Sequence, residues 1–211
     1  MTAVKICGLS TPETLSAALN AGVDYVGFVF YPPSPRHVEI DTAKALASQI
    51  ATNARAVGLF VDPTDDQLSE ALSHVPIDII QLHGNETPQR VAEIKERYRN
   101  LDVMKAIRIR NADDLNAVQD YEATADWLLF DTKSEKAPGG TGEKFDWSLL
   151  KGKTFAKPWM LSGGLTAENT KDALAQLSPD ALDVSSGVES APGIKDPVKI
   201  KAFIDSVKTA I

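Results

Sequence analysis

The sequence has one cysteine, Cys7, which excludes a disulfide bond within the chain and leaves the redox compartment open. No window approaches about 18 consecutive apolar residues, and no apolar signal region precedes the first predicted strand. Lysine and arginine are not clustered and the net charge is −7, which does not favour a nucleic-acid-binding surface. We therefore expect a cytoplasmic protein with neither nucleic-acid nor membrane partners.

Several cofactor motifs are also missing. No Gly-x-Gly-x-x-Gly follows the first predicted strand, and no Walker loop is present anywhere. No pair of histidine and aspartate residues has the spacing of metal ligands. We therefore expect neither a cofactor nor a metal, so any chemistry must come from the side chains themselves.

The dominant pattern is an alternation of apolar, β-branched runs with amphipathic stretches. The runs recur roughly every 25 residues, which is the length of a strand, a helix and two loops. Eight strands are predicted: Val4–Leu9, Tyr25–Phe30, Ala56–Val61, Ile77–His83, Val103–Ile109, Trp127–Thr132, Pro158–Ser162 and Ala181–Ser185.

Helix-capping signals lie between these strands. A capping box is predicted at Ser10–Glu13 and another at Thr64 with Gln67. Thr166 is expected to cap a helix over 167–177, and Asp196 followed by proline is expected to begin the last helix. The helix signal after the sixth strand is the weakest, because Phe145–Leu150 provides barely two turns.

Eight βα units can close into a (β/α)8 barrel or open into a doubly wound sheet. The even strand lengths, the count of eight and the missing dinucleotide fingerprint favour the barrel. With 211 residues, 43% of them hydrophobic, the chain can form one domain with a full core. No linker is apparent, so we predict a single barrel domain over residues 1–211.

In such a barrel the residues that end the strands are the candidate site residues. Cys7 ends the first strand and Asp131 the sixth, so they should face each other across the mouth. Lys5 shares a strand face with Cys7, and its ammonium should lower the pKa of the thiol. Partial burial should favour the protonated form of Asp131. We expect Cys7 as base and Asp131 as acid, although Cys7 could be a small buried hydrophobe and Asp131 a helix cap.

Glycine-rich turns follow the last two strands. The first contains Gly163 and Gly164, and the second contains Ser185, Ser186 and Gly187. Barrels commonly bind phosphate at these two loops through backbone N–H groups, and glycine lets the backbone approach the anion. Two ordinary tight turns would have the same composition, but their joint placement favours a phosphate site.

Other candidates lie on the remaining loops. Three prolines precede Arg36 and should hold its guanidinium over the mouth, where a planar fork suits a carboxylate. Gln81 and His83 share one strand face and are expected to bind substrate, though a lone histidine is often only a hydrogen-bonded core residue. A glycine run that includes Gly140 and Gly142 could supply further N–H donors as a lid, or be a plain flexible loop.

Taken together, the motifs resemble those of the phosphoribosylanthranilate isomerases, a family of tryptophan biosynthesis. The resemblance runs in order and nearly from end to end, with no departure at a motif position. It is carried by Lys5-Ile6-Cys7-Gly8-Leu9, Gly27-Phe28-Val29-Phe30 with Ser34-Pro35-Arg36, Gly58-Leu59-Phe60-Val61, Gln81-Leu82-His83-Gly84, Leu129-Phe130-Asp131 with Gly139-Gly140-Thr141-Gly142, Leu161-Ser162-Gly163-Gly164-Leu165, and Asp183-Val184-Ser185-Ser186-Gly187-Val188-Glu189.

The resemblance implies an Amadori rearrangement of N-(5-phosphoribosyl)anthranilate. It implies Asp131 as the general acid that opens the ribose ring and Cys7 as the general base at the second sugar carbon. Arg36 would hold the anthranilate carboxylate, the glycine turns would hold the phosphate, and Asp183 could orient a sugar hydroxyl. The partner is then a small phosphoribosyl substrate, with the protein a monomer or a homodimer.

Two rival readings remain at this point. The aminoaldose isomerase of histidine biosynthesis resembles this family in fold and reaction but is expected to have an aspartate in place of Cys7. A non-catalytic sensor of phosphoribosyl ligands would keep the glycine turns without needing both Cys7 and Asp131. Ribulose-phosphate epimerases need metal-binding histidines, whose spacing is missing here.

Overall fold

The computed structural model describes residues 2–50, 54–132 and 145–210. Eight parallel strands pair in chain order and close into a barrel, which confirms the predicted (β/α)8 architecture. The closing seam pairs the eighth strand with the first, placing Lys5 beside Asp183. The strands are β1 Ala3–Cys7, β2 Tyr25–Val29, β3 Arg55–Phe60, β4 Ile79–Leu82, β5 Asp102–Ile109, β6 Trp127–Thr132, β7 Trp159–Leu161 and β8 Ala181–Val184.

The helices surround the barrel and bury apolar faces against it. The last of them, for example, buries Phe203, Ile204 and Val207 completely. Short 3-10 helices cover Ala112–Ala117, Trp147–Leu150 and Ser186–Val188. The α-helices are α1 Pro12–Ala21, α2 Ile40–Ala47, α3 Asp65–His74, α4 Pro88–Arg97, α5 Val118–Glu122, α6 Thr170–Gln176 and α7 Pro197–Lys208.

The helix starts differ in part from the sequence-based predictions. The capping box of Thr64 and the N-cap of α7 are confirmed. For α1 the cap is Thr11, whose hydroxyl accepts the Thr14 N–H. The helix predicted over 167–177 begins only at Thr170, because the Asn169 side chain accepts the Thr166 N–H and holds a turn there. Between β5 and β6, a 3-10 helix and the short α5 replace a single long helix.

The barrel interior changes from apolar to polar along the strands. At the amino-terminal end Val57, Ile79, Leu129 and their neighbours form one apolar cluster. Two residues further along β4 and β8, and in the middle of β1, the inward positions hold polar residues. Because alternate residues of a strand share a face, this change places the buried polar groups directly beneath the carboxyl-terminal mouth. These buried groups are Gln81, Asp183 and Lys5.

A small antiparallel hairpin follows β8 and was not predicted from the sequence. It consists of β9 Glu189–Ala191 and β10 Ile194–Lys195. Its turn contains Gly193, whose φ of 81° is in the left-handed region. A Cβ at this position would lie 2.3 Å from the carbonyl oxygen of Pro35, so the hairpin packs closely against the loop after β2. None of the described helices has both the length and the apolar character needed to cross a membrane.

We predict that Gly193→Ala destabilises the protein more than Gly152→Ala. Both glycines have left-handed φ values, 81° and 71°, but a Cβ at Gly152 would meet nothing within 4 Å. The shared cost of the left-handed backbone is about 1–2 kcal/mol. The contact with Pro35 should add roughly 1–3 kcal/mol for Gly193→Ala alone.

Urea denaturation of the two variants measures this difference directly. Equal midpoints and equal slopes would show that the hairpin turn does not press on the loop after β2.

Candidate active site

The structure brings five of the sequence-predicted site residues, Cys7, Arg36, Asp131, Asp183 and Ser185, to one cavity at the carboxyl-terminal mouth. Its lining also includes residues of β2, β3 and the loops that follow these strands. The cavity therefore joins a thiol, two carboxyl groups, a guanidinium and four hydroxyls. The side chains that supply these groups are those of Cys7, Tyr31, Ser34, Arg36, Asp131, Ser162, Asp183 and Ser185.

Cys7 ends β1 and is only 4% exposed. The neighbouring position on β2 is Gly27, and a Cβ there would lie 3.1 Å from the Cys7 sulfur and 3.3 Å from the Lys5 Nζ. Gly27 thus leaves the space in which the thiol and the ammonium approach each other. The predicted proximity of Lys5 to Cys7 is therefore present in the structure.

The predicted direction of the Cys7 pKa shift is nevertheless wrong. Burial raises the pKa of the thiol, the Lys5 charge lowers it, and the Asp183 charge raises it again, with a net increase. The main reason is the burial of the thiol. In addition, the Lys5 Nζ lies 2.9 Å from the Asp183 Oδ1, so Asp183 offsets part of the effect of the lysine. The pKa of Lys5 itself is lowered by burial but raised further by Asp183 and Cys7, so this lysine stays protonated.

Asp183 connects Lys5 on β1 with Ser162 at the end of β7. Its Oδ1 accepts from Lys5, and its Oδ2 accepts from the Ser162 hydroxyl at 3.1 Å. The carboxylate is therefore oriented by β1 and by the end of β7. Each of its oxygens has two lone pairs, so one further donor on a ligand in the cavity could still be accepted.

Asp131 lies on the opposite side of the mouth, where it is 3% exposed. Its Oδ1 accepts the Thr132 N–H at 2.8 Å, and its Oδ2 lies 3.1 Å from His83 Nε2. On the far side of the imidazole, His83 Nδ1 lies 3.0 Å from Gln81 Nε2. Gln81 and His83, which we expected to contact substrate directly, therefore form a chain behind the carboxyl group of Asp131.

Arg36 lines the cavity, but its guanidinium is not simply held out over the mouth. Its Nε and Nη2 donate to the two oxygens of Glu189, at 2.7 and 2.8 Å. Lys195 donates to the same carboxylate at 2.6 Å. Burial raises the pKa of Glu189, but the Arg36 hydrogen bond and the Lys195 charge outweigh it and leave the pKa lowered. Glu189 therefore stays ionised and fixes the direction of the Arg36 fork.

Sequence reasoning assigned no role to Glu189 or Lys195. Both lie on the hairpin after β8, and Lys195 Nζ also donates to the carbonyl and the hydroxyl of Ser185. The one available signal was the position of Glu189 at the end of the motif that follows β8. No local pattern indicated that a lysine further along the chain would return to the same carboxylate.

The two glycine turns lie side by side at the mouth. Gly163 and Gly164 have φ values of 90° and 65°. A Cβ at Gly187 would lie 1.9 Å from the carbonyl oxygen of Leu165, so the two turns are in direct contact. The Ser185 hydroxyl donates to the Cys7 carbonyl at 3.1 Å, which joins the second turn to the end of β1.

The predicted site residues Gly140 and Gly142 lie outside the described residues. Within the described ranges, no group of histidine, cysteine, aspartate and glutamate side chains could hold a metal ion.

A closed parallel barrel with buried titratable side chains converging at the carboxyl ends of its strands defines a (β/α)8-barrel enzyme. The comparison with known proteins makes the assignment specific. The sequence model of N-(5'phosphoribosyl)anthranilate (PRA) isomerase matches residues 4–206, and the chain belongs to this family.

Individual relatives agree with this assignment. The chain is 54% identical to the N-(5'-phosphoribosyl)anthranilate isomerase of Paracoccus denitrificans, over 95% of this chain and 94% of the relative. A structure of monomers of the dimeric isomerase from Thermotoga maritima is 35% identical, with a TM-score of 0.84 and 99% of both chains covered. A phosphoribosyl anthranilate isomerase in complex with reduced 1-(o-carboxyphenylamino)-1-deoxyribulose 5-phosphate is 34% identical, with a TM-score of 0.83 and the same coverage.

We predict opposite shifts of the Cys7 titration in two variants. The wild-type thiolate should form above the ordinary cysteine pKa of about 8.5. Lys5→Met removes the cation that lowers the pKa and should raise it further. Asp183→Asn removes an anion that raises the pKa and should lower it.

Cys7 is the only cysteine, so the difference in ultraviolet absorbance between each variant and the same variant with Cys7→Ser measures the thiolate. This subtraction removes the absorbance of the four tyrosines, which ionise in the same alkaline range. The double variant Lys5→Met/Asp183→Asn leaves no unpaired buried charge and should titrate between the two single variants. Shifts of the same sign in both single variants would contradict this account of the site.

Proposed function

We propose that the chain converts N-(5-phosphoribosyl)anthranilate into 1-(2-carboxyphenylamino)-1-deoxyribulose 5-phosphate, an Amadori rearrangement in tryptophan biosynthesis. Family membership over nearly the whole chain supports the reaction, and it also supports one catalytic barrel domain over residues 1–211. The observation that carries the proposed mechanism is that Cys7 and Asp131 line one cavity from opposite sides of the mouth.

Asp131 acts first, as the general acid. Its carboxyl proton passes to the ribose ring oxygen, the bond from that oxygen to the first sugar carbon breaks, and the anthranilate nitrogen lone pair forms a carbon–nitrogen double bond. The position of Asp131 supports this role, because it is buried at the end of β6 yet borders the cavity. A positioned acid of this kind contributes roughly 10²–10⁴-fold to the rate.

Cys7 acts second, as the general base. The thiolate takes the proton from the second sugar carbon, and the electrons of that bond neutralise the iminium to give an enolamine. Loss of the hydroxyl proton and protonation of the first carbon then give the ketone. Because the pKa of Cys7 is raised, only the thiolate fraction is active near neutrality. We therefore expect the ascending limb of kcat/KM to extend to alkaline pH.

The remaining polar groups bind the two anionic ends of the substrate. Arg36, held by Glu189, would bind the anthranilate carboxylate. The turns at Gly163–Gly164 and Ser185–Gly187 would bind the phosphate. Asp183, fixed by Lys5 and Ser162, would accept a hydrogen bond from a sugar hydroxyl. The net charge of the protein is −7, so these local donors must provide the attraction for an anionic substrate.

The two rival readings differ from this proposal in an observable way. The histidine-pathway aminoaldose isomerase would act on a substrate without an anthranilate group. A sensor would bind the phosphoribosyl ligand without turning it over. Incubation of the purified protein with each substrate, followed through the fluorescence of the anthranilate group, separates the three.

We predict that Asp131→Asn loses turnover by at least about 10²-fold while still binding a reduced product analogue. Asparagine keeps the shape of the carboxyl group but has no acidic proton, and the anion anchors are untouched. Cys7→Ser is the matched control, since it should bind equally and lose turnover through the second step. Asp131→Asn turnover within tenfold of wild type, roughly 1.4 kcal/mol in the barrier, would reassign the acid, with His83 the next candidate.

We predict that Gly164→Ala weakens competitive inhibition by inorganic phosphate. Its φ of 65° means that any side chain strains the turn, by about 1–2 kcal/mol, and displaces the N–H groups proposed to bind the anion. Gly152→Ala has a similar φ far from this turn and is the control for strain alone. Unchanged phosphate inhibition in Gly164→Ala would locate the phosphate elsewhere.

A further inference from the structure

Gln81 has an unusual environment for an amide. It is fully buried inside the barrel. Its Nε2 faces His83 Nδ1 at 3.0 Å, while its Oε1 is buried and has no hydrogen-bond partner among the described residues. A buried polar atom without a partner costs roughly 1–3 kcal/mol, so a glutamine at this position calls for a reason.

The orientation of this amide dictates where His83 carries its proton. An amide nitrogen only donates, so His83 Nδ1 must present its lone pair to Gln81. The proton of the neutral ring is then on Nε2, from which it is donated to the Asp131 Oδ2. Since the Asp131 Oδ1 already accepts the Thr132 N–H, both carboxylate oxygens act as acceptors. The observed arrangement is therefore that of a His83–Asp131 pair without an exchangeable acid proton.

The pair needs a different partner once it gains a proton. The extra proton can be on the carboxyl group, hydrogen-bonded to His83 Nε2, or on the ring as an imidazolium beside the carboxylate. In both forms Nδ1 carries a hydrogen and requires an acceptor. Protonation of Asp131 on Oδ1 instead would weaken the bond from the buried Thr132 N–H. A half-turn of the Gln81 amide satisfies Nδ1–H without moving the ring, because it brings Oε1 to face it.

We infer that Gln81 is a positioning residue that sets the proton occupancy of the His83–Asp131 pair by turning its side-chain amide. The amide nitrogen faces His83 when the His83–Asp131 pair lacks the extra proton (the empty pair), and the amide oxygen faces it when the pair carries that proton (the loaded pair). The catalytic part of this inference rests on the proposed function, in which Asp131 must be recharged with one proton in each cycle. The fully buried amide is thus kept because it can satisfy both states in turn.

The charged groups around the pair are themselves paired or hydrogen-bonded. The ion pair of Lys5 and Asp183 on β1 and β8 has no net charge, and the pair of Lys105 and Glu86 behind the loop after β4 is also internally balanced. On β5, the strand that separates His83 from Asp131, Arg108 pairs in register with Asp131 and donates to Asn85. Both forms of the protonated pair therefore fall under the inference, since Nδ1 of His83 carries a hydrogen in each.

The first test uses the unmodified protein and needs no turnover. The chain has three histidines, so ¹⁵N-histidine labelling gives a spectrum simple enough to follow each ring, with His83→Asn identifying the signal. We expect His83 Nδ1 to carry a hydrogen at low pH and to lose it at high pH, where the ring proton remains on Nε2. The midpoint of this exchange should coincide with the descending limb of kcat. A single tautomer across the whole pH range would overturn the inference.

The second test separates Gln81 from a merely structural role. The carboxylate of Gln81→Glu offers only acceptors to Nδ1, so the pair should keep its extra proton to higher pH. The descending limb of kcat should therefore move up by at least one pH unit, which is a tenfold change in proton affinity. Gln81→Met has a side chain of similar length that makes no hydrogen bonds. In this variant the pH at which His83 changes tautomer should no longer coincide with the descending limb of kcat. Identical, unshifted limbs in both variants would also overturn the inference. Because the tautomer exchange is observed without substrate, it stands or falls independently of whether Asp131 proves to be the acid.

Discussion

The ion pair of Lys5 and Asp183 is the interaction on which the rest of the site depends. It spans the seam where β8 meets β1 and lies inside the barrel beneath Cys7. A buried ion pair adds little net stability, because desolvation cancels most of the attraction, but loss of one partner alone costs about 3–5 kcal/mol. The presence of this ion pair is therefore better explained by a role in the active site than by a contribution to the stability of the core. Burial raises the pKa of the Cys7 thiol, Lys5 favours the thiolate and Asp183 limits that effect, so the base is mostly protonated at rest.

The two proton-transfer groups are supported in different ways. Cys7 is adjusted by fixed charges that do not need to move. Asp131 is supported by neutral groups, His83 and Gln81, whose hydrogen-bond roles can be exchanged without a change of net charge. This difference suits their tasks in the proposed reaction, since a base must lose its proton readily and an acid must be recharged. Both supports lie within the polar middle of the barrel, which the apolar cluster below seals from solvent.

The fold and the positions of the site residues could largely be predicted from the sequence. Strands alternate with helices at a regular spacing, and the residue that ends each strand must lie at the mouth. The positions of Cys7 and Asp131 at the mouth therefore follow from the periodicity alone. Charge balance could not be predicted in this way. The Cys7 pKa depends on Asp183, which is distant in sequence, and on a degree of burial that no local pattern reveals. The support of Arg36 by Glu189 was missed because the hairpin that carries Glu189 is too short for a periodic signal.

The bond between Arg36 and Glu189 joins residues 153 positions apart. During synthesis the arginine therefore leaves the ribosome long before its carboxylate partner exists, and β1 is made even longer before β8, since Lys5 and Asp183 are 178 positions apart. A partly made barrel has neither an oriented guanidinium nor a closed seam, so it offers no complete surface to a phosphorylated sugar. The complete set of anion-binding groups therefore forms only after the hairpin that follows β8 has been made.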